Sequence, residues 1–143
     1  MAGREALMVL NRSTDGHAVQ VWDVIEGRRR HLLEGHSGYI SNLVLSDDDR
    51  VALSAGGLDG TVRVWDVERG RCPHVLRGDA DRVEALAMSA DGRIGLTGDG
   101  TVIRVWGLAT GEGQRELFGH TDPVFAVAVS ADGRWCAACA VTR

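Results

Sequence analysis

A unit of a little over forty residues recurs along this chain, and a period of that length constrains the fold more than any other feature. Three segments end in an aromatic anchor, AVQVWDV, TVRVWDV and VIRVWGL, so that Trp22, Trp65 and Trp106 stand 43 and 41 residues apart. The pairs Gly35-His36, Gly78-Asp79 and Gly119-His120 keep the same two steps. So do the polar clusters SDDDR at 46–50, SADGR at 89–93 and SADGR at 130–134. Three markers in one phase define a tandem array, in which each unit needs its neighbours to bury its apolar surface.

Within a unit the signal is β. Short apolar runs lie between Gly/Asp/Ser clusters, the pattern of strands and turns. Residues 39–45, 83–88 and 124–129 align as one strand, and 51–55, 94–97 and 135–140 as the next. An Asp-Gly turn follows at 15–16, 59–60 and 99–100, because Gly accepts positive φ and Asp tolerates it. The Trp-bearing strand comes third, and a fourth run around 31–33, 75–76 and 117–118 closes the unit. Each unit is therefore predicted to be a four-stranded antiparallel meander. Runs such as AVAVS and ALAMS leave little polar face, so the sheets must be covered on both sides. Small sheets stacked face to face around an axis meet that need. The expected fold is all-β, two complete four-stranded blades and two partial ones, divided as residues 1–34, 35–77, 78–118 and 119–143.

The Gly-His entry, the Ser-x-Asp-Gly turn and the terminal Trp-Asp resemble the WD40-repeat β-propeller family, over nearly the whole chain. That resemblance implies a hydrogen-bonded network of His, Ser or Thr, Asp and Trp that stiffens each blade. Only the middle unit carries it in full, as His36, Ser54, Asp59 and Trp65. In the next unit Asp79 replaces the His, Thr97 stands for the Ser, and Gly107 replaces the Asp after Trp. The first unit keeps Asp15 and Trp22; the last has His120. The resemblance further implies a non-catalytic protein–protein interaction scaffold that binds through residues flanking the start of each innermost strand. Those positions are Tyr39, Ser41, Arg82, Glu84, Pro123 and Phe125, with Leu58 beside the turn Asp; among them the aromatics and Arg suit interface hot spots. The alternative is a sensor or regulatory propeller segment of a larger bacterial-type signalling ATPase or kinase.

Composition narrows the function by exclusion. A net charge of −4 gives no bulk field to draw in nucleic acid or an anionic membrane. All 16 basic residues are Arg, which removes Schiff-base chemistry and the phosphate-loop lysine. No run approaches the roughly 20 apolar residues that span a bilayer. Three cysteines without a disulfide framework favour a reducing compartment, hence the cytoplasm. Cys136 and Cys139 have CxxC spacing, but they fall on a predicted strand without a second ligand pair and read as small buried filler. His17, His31, His36, His74 and His120 lack metal-ligand spacing, so no metal or cofactor is expected. Asp47-Asp48-Asp49 lacks the later Gly and Glu of a calcium loop and reads as a hairpin turn. Arg28-Arg29-Arg30 reads as charge guarding an outer strand. An array of about three units cannot close a ring of four to eight blades. The chain is then either part of a longer propeller or one of several that assemble. The first is favoured, because a joining blade would hold one strand too many. Exposed ends lead us to expect self-association of the isolated chain.

Overall fold

The computed structural model describes residues 5–11, 17–56, 60–77, 83–119 and 124–140, and every element in them is a strand. In chain order these are β1 (Glu5–Asn11), β2 (His17–Asp23), β3 (Arg28–His36), β4 (Ile40–Leu45), β5 (Val51–Gly56), β6 (Thr61–Asp66) and β7 (Arg71–Arg77). They continue as β8 (Val83–Met88), β9 (Ile94–Asp99), β10 (Val102–Gly107), β11 (Glu112–Leu117), β12 (Val124–Val129) and β13 (Cys136–Ala140). Every strand pairs with its sequence neighbour, antiparallel throughout, as tight polar turns dictate. Two complete sheets, β4-β5-β6-β7 and β8-β9-β10-β11, lie between a three-stranded sheet, β1-β2-β3, and a two-stranded one, β12-β13. The all-β, four-stranded blade architecture expected from the repeat is what forms, and the array is not closed.

The hydrophobic core lies between sheets, not within one. Val19, Val21 and Leu33 of the first sheet cluster with Ile40, Ala52, Trp65 and Val67 of the second. Leu53, Val62, Val64 and Leu76 cluster with Val83, Leu86, Trp106 and Leu108 of the third. Ala85, Ala87, Leu96 and Ile103 meet Val124 of the fourth. This is the physical consequence of strands with two apolar faces. Backbone bonds also cross the junctions: Asp47 N–H donates to Ala90 O at 3.0 Å, and Val124 N–H donates to Gly100 O at 2.8 Å.

The outer strands are longer than the sequence implied. β3, β7 and β11 extend well beyond the short apolar runs predicted for them. Paired on one side only, they expose residues such as Arg28, Arg71 and Glu112 and therefore lack an apolar signature. Pro73 within β7 belongs to the same edge logic, since an outer strand tolerates a missing donor.

Candidate partner-binding face and its supporting networks

The support is built from the Trp-bearing strands inward. Register places Ser54 of β5 opposite Arg63 of β6, one turn of the pleat from Trp65. The Trp65 indole N–H donates to Ser54 Oγ at 2.8 Å, and His36 Nε2 lies 2.6 Å from the same oxygen. All three are buried, Ser54 completely. A hydroxyl in this position must be satisfied, and here it ties β3, β5 and β6 together. The fourth expected member, Asp59, lies outside the described residues. One sheet on, Trp106 donates to Thr97 Oγ1 at 3.0 Å, the Ser-to-Thr substitution read from the sequence. In the first sheet Met8 stands opposite Gln20 where Ser54 and Thr97 stand in theirs. Trp22 there donates instead to Gln20 Oε1 at 3.0 Å.

The Ser-x-Asp turns are three copies of one hydrogen-bonded structure. Ser46 Oγ donates to Asp48 Oδ1 at 2.6 Å and accepts from Val51 N–H at 3.1 Å; Asp48 Oδ1 also accepts from Arg50 N–H. Ser89, Asp91, Arg93 and Ile94 repeat these bonds, as do Ser130, Asp132, Arg134 and Trp135. The Ser46 hydroxyl and the Arg50 N–H hold the Asp48 carboxyl below the ordinary carboxylate range. Asp91 is lowered by the Arg93 N–H and the Ser89 hydroxyl, Asp132 by the Ser130 hydroxyl and the Arg134 N–H. The Asp of the Trp-Asp pair has its own turn to brace. Asp23 Oδ1 accepts from Ile25 and Glu26 N–H at 3.0 Å, and Asp66 Oδ1 accepts from Arg69 N–H at 3.2 Å. Burial opposes ionisation of Asp66, but its bonds to Arg69 outweigh that and its carboxyl is lowered too.

A regularity missed in the sequence joins neighbouring blades. His31 Nε2 lies 3.2 Å from Glu68 O, and His74 Nε2 lies 3.0 Å from Ala109 O. Each ring sits against a glycine of the next sheet's turn. A Cβ on Gly70 would stand 2.7 Å from His31 Nδ1, and one on Gly111 would stand 2.6 Å from His74 Nδ1. The two histidines are 43 residues apart, the spacing of Trp22 and Trp65, and that was the available signal.

The end of the array opposite the Ser-x-Asp turns carries the expected partner-binding positions. Tyr39 is 56% exposed there, its ring 5.7 Å from that of His17 and tilted by 52°. Ser41 is exposed at the start of β4, its hydroxyl donating to Ala55 O at 3.4 Å. Glu84 and Phe125 occupy backbone positions in β8 and β12, their side chains lying outside the description. Leu58, Arg82 and Pro123 lie outside the described residues. Cys136 corrects one reading: it is exposed, not buried filler. Its counterpart Ala52 is wholly buried because β6 and β7 complete its sheet, whereas β13 is paired only with β12.

Repeated four-stranded blades, joined by shared cores and braced by a Trp–Ser/Thr bond, define a β-propeller-type repeat array. The family model for the WD domain, G-beta repeat, matches residues 27–66, 70–107 and 111–141, and the chain belongs to the WD40-repeat family. No curated protein matched it in sequence. WD40 repeats generally mediate protein–protein interaction, and domains built from them are typically non-catalytic.

Proposed function

We propose that this chain is a non-catalytic, cytoplasmic interaction scaffold whose partner is a protein docking around Tyr39. The observation that carries this is an aromatic side chain 56% exposed at a position held by a buried network, Ile40 and His36 on either side being buried. A rigid, exposed aromatic is what an interface anchor requires. The non-catalytic reading draws support from the one Ser–His pair, among the described residues, close enough to resemble a nucleophile and its base. His36 and Ser54 meet at 2.6 Å, but both are buried and the same oxygen already accepts the Trp65 N–H. No substrate carbonyl could approach it. A net charge of −4 favours a protein partner over nucleic acid or an anionic membrane, and Cys72 and Cys136, both without a disulfide, fit a reducing compartment.

The test compares Tyr39→Ala with Val75→Ala, an exposed hydrophobic on the outer strand β7. Proteins captured by the unmodified chain should be lost with Tyr39→Ala and retained with Val75→Ala, with both variants melting as the unmodified chain does. Equal capture by both would refute docking at Tyr39.

A further inference from the structure

The second and third sheets, both complete, do not close on one another at the Ser-x-Asp end of their junction. A groove of about 450 Å³ remains there, within the size range of small-ligand sites. Its floor is apolar, with Val51 and Val64 from one sheet and Leu108 from the next. Pro73 and His74 of β7 form one wall, and His74 is fixed by its bond to Ala109 O at 3.0 Å. One repeat earlier and one later, Arg30 and Gln114 stand at the place of Pro73. The short proline ring leaves room at this junction that a long side chain would take.

The rim is charged, and its charges are not equivalent. Asp66 and Arg69 satisfy one another at 2.9 Å. Arg50 and Arg93, the last residues of successive Ser-x-Asp turns, line the groove from the two sheets. The carboxylates nearest to them in sequence, Asp48 and Asp91, are bound to the hydroxyl and backbone N–H of their own turns. Arg93 lies 3.9 Å from Asp91 with its side chain 83% exposed, so its fork of donors faces outward. Glu68 is exposed on the same rim and is the carboxylate that remains to accept a hydrogen bond. Cation and apolar floor are one residue apart, because Arg50 precedes Val51.

We propose that this groove captures the C-terminal residue of a partner protein, its aliphatic side chain on the floor and its free carboxylate between Arg50 and Arg93. A chain end carries an apolar side chain and an anion on one carbon, which matches the spacing of Val51 and Arg50. Guanidinium groups bind a carboxylate through paired N–H donors, and the apolar floor strengthens those bonds by excluding water. Glu68 accepts the N–H of the terminal peptide group. That selects a peptide over a fatty acid, which has no N–H to give. The floor also disfavours a free inorganic anion, whose oxygens would lose water there and gain no partner. The groove lies at the opposite end of the array from Tyr39, so the two sites act independently.

The probe is a fluorescently labelled hexapeptide ending in leucine, titrated against the full chain and followed by anisotropy. With a free carboxylate it should bind saturably. Its C-terminal amide, and octanoate added as a competitor, should each bind at least about tenfold more weakly. Arg50→Gln should weaken the free-acid peptide about tenfold. So should Pro73→Gln, which gives β7 the side chain found at the same place in β11. Both positions are exposed, and each variant should melt as the unmodified chain does. Tyr39→Ala should bind the peptide unchanged, so failure at this groove and failure of docking at Tyr39 are read separately. Equal binding of the amide or of octanoate, indifference to Arg50→Gln or Pro73→Gln, loss with Tyr39→Ala, or no saturable binding would each overturn the proposal.

Discussion

Asp49 holds a backbone conformation that its sequence counterparts leave to glycine. Its φ is +62°, where Gly92 and Gly133 in the equivalent turns have +75°. One of its carboxylate oxygens, Oδ2, is also buried without a hydrogen-bond partner. Both the left-handed backbone and the orphaned oxygen cost free energy. Asp49→Gly should therefore stabilise the fold by about 1 kcal/mol, read as a higher denaturant midpoint at unchanged slope. The neighbouring carboxylates act in the opposite sense. Asp48, Asp91 and Asp132 have folded-state values below the unfolded one of about 3.9, so their stabilisation is complete above that pH. It is lost as pH falls through the lowered folded values. The melting temperature should hold down to about pH 4 and then fall. Asp91→Asn should shrink that acid-side slope; an undiminished slope would show that the turn carboxylates are not its source.

At the scale of elements, the turn between the third and fourth strands does two jobs. It reverses the chain, and it receives a histidine from the sheet before. Gly70 and Gly100 have nearly the same positive φ, +68° and +64°, so alanine at either costs about 1 kcal/mol of backbone strain. Gly100 has open space around it, whereas Gly70 lies against His31. Gly70→Ala must also displace that ring and its bond to Glu68 O, which adds about 1 kcal/mol or more. Chemical denaturation of the two variants should separate them by that margin. Sequence periodicity found the strands carrying Trp because their small apolar residues are buried on both faces. It under-read β3, β7 and β11, whose free edges are dressed in Arg and Glu. The family resemblance, not periodicity, named Ser54 and Thr97 as members of the networks of Trp65 and Trp106, and both bonds form. Periodicity passed over His31 and His74, since a ring bonded to a backbone carbonyl leaves no side-chain motif at the other end.

The whole molecule is a row of sheets whose stability resides in the gaps between them. The first of the three family matches begins at Gly27 and ends at Asp66, so the sequence unit takes its outer strand from one blade and three strands from the next. Each unit straddles a junction, which is why neither a unit nor a blade is an independent piece. Leu53, fully buried in the cluster between the second and third sheets, is the place to test this. Leu53→Ala should cost about 2–5 kcal/mol, and hydrogen exchange should show protection falling in β8–β11 as well as in its own sheet. Loss confined to β4–β7 would mean that the blades unfold separately. The sequence by itself determined the strand count per unit, the antiparallel order and the turns, and its resemblance to a known repeat family supplied the Trp–Ser/Thr bond. All of these follow from residues within one repeat, where pattern and contact are local. Only the tertiary structure decided which faces remain uncovered, that Cys136 and Val24 are exposed while Ala52 and Val67 are buried, and that histidines latch adjacent blades. Those outcomes depend on what the neighbouring strand or sheet supplies, and residues at the same phase acquire different surroundings when that neighbour differs.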